Sequence, residues 1–418
     1  MFSPSDFRNL FKPNYCERRV WLASNQPDLA LEDVEFNELL QGKGAAVEDA
    51  HVKVVGPIEK PIYPMGDMPS GFEETRRLIE SKTPIIYQGV LMSRDGEFIA
   101  VPDLLILDEA SGHYKIRDVK LATNLDRHPE IALGLGLCRL ISEEVFGYTP
   151  IVEVATSDGQ IISPFYVPDK DLVLEYVEQI INLENLPEEP LEPSGWAKCN
   201  PCPYFEYCWN LVWGGRDVCT IPGIEQGMSK VLWENRVKTW EDVVKLGIEK
   251  LAAIPFQRGS QIQRIGITRA EKIIRQARCL AEDTHEIKTP LTLPHDYVKG
   301  QRPIVVFDIE NNIFKELGIQ VDVYLWGLMV VVSEESQNQE LTVSPPGSKG
   351  DYDGWRQFLS IVSEIFKNYG DVPIIHFGTH EKTWVNNYVE RHGDVGRIGR
   401  RVLENLWDVY RALTSSVI

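Results

Sequence analysis

The spacing of apolar residues changes along the chain, and the changes mark its segments. From residue 84, "PIIYQGVLMSRDGEFIAVPDLLILDEASGHYKIRDVKLA" runs through short β-branched and apolar stretches broken by turn residues. It reads as a three-stranded meander over residues 84–122, with Asp95-Gly96 in its first turn and "DEASGH" as its second. "LPEEPLEPSGWAKC" is a Pro- and Glu-rich connector leading into a cysteine cluster. Beyond it, "WEDVVKLGIEKLAAI" and "TRAEKIIRQARCLAED" space their apolar residues at helical intervals. "TPLTLPHDYVKGQRP" breaks that pattern with Pro and Gly and reads as a linker. "PIVVFDIENN" and "VYLWGLMVVV" then return to strand character, followed by two amphipathic segments. The expected organisation is an α/β region over 1–215, a helical region over 216–300 and a second α/β region over 301–418. There is no internal repeat and no low-complexity tract.

Composition narrows the class. Of the 418 residues, 43% are hydrophobic and 25% charged, which fits a globular chain with a sizeable core. No apolar run is long enough to span a membrane, and the N-terminus lacks the pattern of a signal peptide. A cytoplasmic protein without a membrane partner is expected. The odd total of seven cysteines argues against a closed disulfide framework. The net charge of -19 argues against nonspecific coating of nucleic acid, which needs many Lys and Arg. It leaves room for carboxylate metal sites and a local basic patch.

The meander carries the first chemical constellation. If its second turn is centred between Ala110 and Ser111, Asp103 lies directly across the hairpin from Asp118. Lys120, two residues beyond Asp118, points to the same face. Opposed like charges destabilise a sheet, so the pair must bind a cation, share a proton or be solvated in another register. The apolar setting "VPDLLIL" disfavours plain solvation.

Asp103 followed by Asp118-Val119-Lys120 resembles the core of the PD-(D/E)xK nucleases, in their RecB-like branch. The upstream helix of that branch is matched by "GKGAAVEDAH", with Gly44, Glu48 and His51. "YCERRVWL" with Cys16, and "CNPCPYFEYC" with Cys199, Cys202 and Cys208, resemble the iron–sulfur subset, which includes the CRISPR-associated exonuclease and AddB nuclease domains. The resemblance covers about residues 1–215 and implies a restriction-endonuclease-like α/β fold. It implies that Glu48, His51, Asp103 and Asp118 hold magnesium or manganese, and that Lys120 joins Asp103, Asp118 and Glu48 in catalysis. It also implies a [4Fe–4S] cluster on Cys16, Cys199, Cys202 and Cys208; the cysteine spacing alone is equally open to zinc. One departure stands out. The helix after the core should present Gln and, four residues on, Tyr to the substrate strand. Here those positions hold Gly134 and Cys138. Cys138, Cys219 and Cys279 read as small buried hydrophobes.

"RIGITRAEKIIRQA" resembles the second half of a helix–hairpin–helix, and Arg269, Lys272 and Arg275 make it locally basic, a DNA-binding candidate. Asp308 and Glu310 share a face at a strand end. With "IIHFGTHEKTW" supplying Glu381 and "LWDVYRAL" supplying Asp408, they resemble the DEDD, RNase H-like exonucleases, and the resemblance implies a second metal site on Asp308, Glu310 and Glu381. The last acidic motif of that family has no counterpart, so this domain is expected to be incomplete. The three-part order resembles RecB-like nucleases with a C-terminal RNase H-like domain, some of them associated with helicases. The resulting expectation is a metal-dependent DNA nuclease acting on single strands or ends. The alternatives are a non-catalytic iron–sulfur DNA-binding accessory subunit for a helicase partner, and a cluster-gated redox sensor.

Overall fold

The apolar runs flanking "DEASGH" close into the middle of a five-stranded sheet. In the computed structural model, residues 1–31, 34–258, 261–287, 289–290, 294, 302–311, 322–333, 336–344 and 347–416 are described. The chain divides into two compact units, Met1–Ala281 and Glu282–Ile418. It is mixed α/β, and among the described residues no helix is long and apolar enough to cross a membrane. The expected boundary at 215/216 falls inside the first unit. The expected linker at 289–303 lies mostly outside the described residues.

In the first unit, β1 (Ile85–Tyr87), β2 (Leu91–Met92), β3 (Ile99–Ala100), β4 (Leu104–Asp108), β5 (His113–Lys120), β6 (Val152–Thr156) and β7 (Ile161–Ile162) follow in chain order. The main sheet has the order β1-β4-β5-β6-β7. The hairpin β4–β5 has the expected register, with Leu104 opposite Arg117 and Asp108 opposite His113. The meander is not a single sheet, however. Its Asp95-Gly96 turn closes β2 onto β3 in a separate two-stranded ladder, and β1 returns to pair with β4. The reason is local: Gln88 takes a positive φ of 52° and breaks the strand between β1 and β2.

Helices α1 (Phe7–Phe11), α2 (Glu17–Asn25), α3 (Val34–Val55), α4 (Met68–Glu80), α5 (Pro129–Phe146) and α6 (Lys170–Glu184) surround this sheet. β5 joins β6 in parallel through α5, which starts on Pro129 and stops at Gly147 with φ 78°. Phe7, Leu10, Leu105, Ile116, Leu137, Ile141, Val154 and Val173 form part of one core between sheet and helices.

The segment 216–281 has its own core, built from α9 (Gln226–Glu234), α10 (Trp240–Leu246), α11 (Ile248–Ala253) and α12 (Ile267–Glu282) after the short α7 (Trp196–Cys199) and α8 (Phe205–Gly214). Leu232, Trp240, Val243, Leu251, Ile273 and Ile274 are buried there. Between α11 and α12 stands a β-hairpin, β8 (Pro255–Arg258) and β9 (Gln261–Arg264). The helix–hairpin–helix likeness is thus interrupted by an inserted two-stranded arm. Gly266, with φ 82°, then turns the chain into α12.

In the second unit, β10 (Ile304–Asn311), β11 (Val323–Ser333), β12 (Ser336–Val343), β13 (Ile374–His376) and β14 (Leu406–Asp408) form a sheet of order β12-β11-β10-β13-β14. β10 is antiparallel to β11 and parallel to β13, which is parallel to β14. α13 (Ser348–Tyr369), α14 (His380–His392), α15 (Ile398–Asn405) and α16 (Val409–Ser416) complete it. Its core stacks Trp326, Trp355, Phe358, Phe307 and Tyr388. The buried Asp351 carboxylate ties the start of β11 to the last turn of α14, accepting from the Asp322 amide at 3.0 Å, Arg391 at 2.8 Å and the Tyr388 hydroxyl.

Candidate functional site

The β4–β5 register sets Asp103 against Asp118. The Val119 amide donates to Asp103 Oδ2 at 2.7 Å, and the Asp103 amide approaches Asp118 Oδ1 at 3.3 Å. Lys120 Nζ forms an ion pair with Asp118. The expected trio is therefore gathered at one point, half-buried at the edge of the core. Burial, reinforced by Asp118, pushes the Asp103 carboxyl up to about 8. Burial also works against the charge on Asp118, but the Lys120 ammonium and the bonds from Lys120 and Asp103 outweigh it and hold Asp118 below the usual carboxylate range. Burial opposes the charge on Lys120 as well, and the two carboxylates override it and raise that ammonium's pKa. Without metal the trio holds one proton on Asp103, a carboxylate on Asp118 and an ammonium on Lys120.

Glu48 reaches this neighbourhood from α3. Gln88 Nε2 donates to Glu48 Oε1 at 3.2 Å, and the Tyr87 hydroxyl interacts with the same carboxylate. The Gln88 amide donates to the carbonyl of Asp103 at 2.9 Å, which ties Glu48 to the trio through one residue. Lys60 donates to Gln88 Oε1 at 2.7 Å and stands 5.2 Å from the Tyr87 ring. Lys60, Tyr87 and Gln88 were missed in the sequence. The strained Gln88 backbone is a structural signal with no counterpart in the residue pattern. His51 lies on the same helix with its Nε2 buried and without a partner; apart from burial, the charge that acts on it is Arg117, whose guanidinium is held by Glu153 at 2.8 Å.

Behind the trio lies α5. Cys138 is buried and in electrostatic reach of Asp118, Lys120 and Asp103. Gly134 does not face open space: a Cβ there would stand 3.1 Å from the Pro4 carbonyl oxygen. Gly136 is closed the same way, with Val173 at 2.7 Å from a Cβ. The glycines admit the N-terminal loop and α6 against the helix, so the face expected to grip a strand is packed.

The cysteines form a second site. Cys16 caps α2, Cys199 ends α7, and Cys202 and Cys208 bracket the start of α8. Cys16 is within electrostatic reach of Cys202 and Cys208, and Cys199 of Cys202 and Cys208. Burial pushes Cys16 up to about 12 and Cys208 up to about 11, and raises Cys199 and Cys202. Arg18 is buried, paired with Glu189 and 5.7 Å from the Tyr207 ring. Arg19 Nε is buried with no partner. The Pro- and Glu-rich connector is fastened here: Glu189 also accepts from Tyr207 at 2.8 Å, and Trp21 Nε1 donates to Leu186 at 2.9 Å. None of the seven cysteines is in a disulfide. Cys138 and Cys219 are buried as expected, while Cys279 is only half-buried.

The donor sets bear on what could bind. Among the described residues, no three His, Cys, Asp or Glu side chains stand close enough together to hold one metal ion. Magnesium keeps several waters and needs only one or two carboxylates, which Asp103 and Asp118 supply. For a single zinc, sulfurs at ~2.3 Å from one ion must crowd together. A cubane spreads its four thiolates over four iron corners and does not ask this.

The second unit does not assemble its expected set. Strand alternation turns Asp308 and Glu310 to the exposed face of β10, beside a hollow of about 260 Å3 lined by Val306, Leu325 and Leu341. Glu381 is buried and bonded to His376 Nδ1 at 3.2 Å, on the face that carries Phe307. Asp408 accepts from the amides of Gly378 at 3.0 Å and Arg411 at 3.1 Å. Asp308, Glu310 and Glu381 are thus not one ligand group.

In the helical segment, the Arg269 guanidinium donates to the Gly223 carbonyl at 2.8 Å and lies 5.4 Å from the Phe256 ring, bracing the β8–β9 arm. Lys272 is exposed and Arg275 half-buried. No protein-family model, curated protein or solved structure matches this chain.

Proposed function

We propose that the first unit is a metal-dependent nuclease hydrolysing phosphodiester bonds, with DNA single strands or ends as substrate. The observation that carries this reading is the half-buried Asp103–Asp118–Lys120 trio. Two carboxylates and an ammonium converge there in a setting that keeps one carboxyl protonated, an arrangement that serves no packing need and costs stability unless a cation uses it. A divalent cation on Asp103 and Asp118 would supply Lewis acidity and an ionised water. Asp103 would release its proton to accept the cation. Lys120 would then be free of part of its hold on Asp118 and would set its ammonium Nζ against the phosphate's developing charge. Glu48, fixed by Gln88 and Tyr87, would orient the outer water shell.

In the same reading, Cys16, Cys199, Cys202 and Cys208 hold a [4Fe–4S] cluster that fastens α2 to the connector and α8. The strand order of the second unit, with its first three strands as an antiparallel meander and the last two parallel to the first, supports an RNase H-like fold. Its scattered carboxylates favour a non-catalytic role there. The basic face of α12 is the proposed path of the DNA backbone. The packed Gly134 face favours a second reading, a DNA-binding subunit that does not cleave and serves a helicase partner.

The test is cleavage of labelled single- and double-stranded DNA with magnesium or manganese. Wild type should cleave, while D118N should not and K120A should fall ~10²–10³-fold, the cost of one charge-stabilising donor. Cleavage unchanged in D118N would sink the nuclease reading. Tight binding without cleavage by the wild type would select the accessory reading.

A further inference from the structure

Strands β8 and β9 form an arm that the helical core uses only at its base. There the Ile265 amide donates to the Ile254 carbonyl at 3.1 Å, and both isoleucines are buried. Beyond the base all four residues of β9, Gln261 to Arg264, are exposed. The register sets Ile262 opposite Gln257 and Gln263 opposite Phe256. Opposed residues share a face of a ribbon. Phe256 is half-buried with the Arg269 guanidinium 5.4 Å from its ring, so its face turns toward the helices. The other face, with Gln257, Ile262 and Arg264, turns outward. Ile262 is 80% exposed there. One exposed apolar side chain is ordinary. This one stands in mid-strand on a projecting ribbon, among amide and guanidinium side chains.

The charge around the arm narrows what could meet it. Residues 261–278 hold five Arg and Lys against one Glu, in a chain of net charge -19. After Gly266 turns the chain into α12, Lys272, Arg275 and Arg278 follow at three-residue spacing and make one row on the helix. Among the described residues, Arg264, Lys272 and Arg278 are in no ion pair, whereas Arg18, Arg117 and Arg391 are. A phosphate backbone answers this charge. Phosphates alone give Ile262 and the glutamines nothing to meet. The major groove of B-form DNA does: it admits a two-stranded ribbon, offers thymine methyls to apolar side chains and adenine edges to glutamine, and is bordered by phosphates. The major groove of duplex RNA is too deep and narrow for a ribbon. A single strand would call for aromatic stacking platforms, and the outward face of the arm carries none among its described residues.

We propose that the β8–β9 arm enters the major groove of duplex DNA, with Ile262 and Arg264 against base edges and with Lys272 and Arg278 of α12 on the bordering phosphates. This rests on the DNA reading above and narrows it. The bound DNA includes a duplex stretch, so the substrate is a duplex end rather than a free single strand. It does not depend on cleavage.

The experiment measures binding of the full chain by fluorescence anisotropy, without divalent metal so that no probe is cut. The probes are a labelled DNA duplex, its single strand and the RNA duplex of the same sequence, each over a range of salt. Wild type should bind the DNA duplex more tightly than either other probe. I262D brings a carboxylate into the groove and should weaken duplex DNA binding by about tenfold or more. Its single-strand affinity should stay within about twofold, and its unfolding temperature should match wild type, as for an exposed residue. I262L should keep the wild-type affinity. K272A and R278A should each weaken duplex binding and lower the slope of log affinity against log salt by about one. Unchanged duplex affinity in I262D overturns the proposal, as does equal wild-type affinity for duplex DNA and its single strand or for duplex DNA and duplex RNA. If I262D lowers the unfolding temperature, I262T replaces it with the same outcomes expected. A wild type that binds none of the probes overturns the DNA reading itself, whereas duplex binding lost in I262D without any cleavage by the wild type upholds the arm and removes only the nuclease.

Discussion

Each half of the molecule carries acidic residues at the end of a strand, and they meet different fates. In the first unit Asp103 and Asp118 sit on two adjacent strands, in register, on one face, with Lys120 beside them. In the second, Asp308 and Glu310 sit on one strand and face outward, while Glu381 turns inward to His376. Two residues apart on one strand is enough to share a face. It is not enough to make a site. The first pair converges because a hairpin brings a second strand with the same polarity of faces. The second pair needs a ligand from α14, and the helix buries that residue in the core.

The largest contrast should come from removing one carboxylate from each region. D118N should abolish metal-dependent cleavage, whereas D308N and E310Q should leave it within about twofold, since exposed residues away from the site act weakly. Equal loss in both units would mean that the second also cleaves. E381A should do the opposite of D118N. It strips the buried His376 of its partner and should lower unfolding free energy by about 1–3 kcal/mol without changing cleavage by the first unit. Denaturant unfolding monitored by the tryptophan fluorescence of the second core would show it.

The residue pattern made the first site legible because its geometry is local. One hairpin register places Asp103, Asp118 and Lys120, and that register follows from a turn and from alternation. Glu48 was within reach of a motif, but its partners Tyr87 and Gln88 were not, since they depend on a backbone break at Gln88 that residue types do not announce. His51 lies on the same helix as Glu48, with a buried and unpartnered Nε2 that residue types alone do not show. The four cysteines were legible as a set, but the buried Arg18 gained meaning only from burial. The failure at Glu381 has a plain cause. Sequence order matched a family motif, while the side chain's direction depends on His376, five residues away on β13.

The protonation of the trio offers a finer test. Asp103 holds its proton up to about pH 8 in the folded state against ~4 when unfolded. A raised pKa contributes stability that is full below ~4 and is lost as pH rises through about 8. The metal-free protein should therefore lose stability progressively as pH rises from about 4 to about 8 and level off above that. Metal must displace that proton, so apparent magnesium affinity should climb up to about tenfold per pH unit below about 8 and level off above it. Titration calorimetry in buffers of different ionisation enthalpy should find about one proton released per magnesium near pH 7 and almost none near pH 9. No proton release near pH 7 would mean that the cation binds away from Asp103, and would remove the chief difference between the two acidic regions.

The smallest effect belongs to the helix behind the trio. Gly134 occupies the place where a strand-contacting side chain was expected, and Pro4 fills the space above it. Alanine there gains about 1 kcal/mol of helix propensity over glycine. It also brings a Cβ to 3.1 Å from the Pro4 oxygen, a contact the N-terminal loop can relieve by a few tenths of an ångström. The two effects oppose each other, so G134A should change stability by less than about 1 kcal/mol in either direction. G136A meets Val173 at 2.7 Å on the rigid α6 and should be the worse of the two. G134Q probes the same helix face directly. If the glycine were an empty seat for a lost contact, glutamine should tighten DNA binding. Because Pro4 already occupies the seat, glutamine should instead displace the loop, lower the unfolding temperature and leave DNA affinity unchanged. Tighter binding by G134Q at unchanged stability would show that the N-terminal loop yields readily and that the gripping face is available after all.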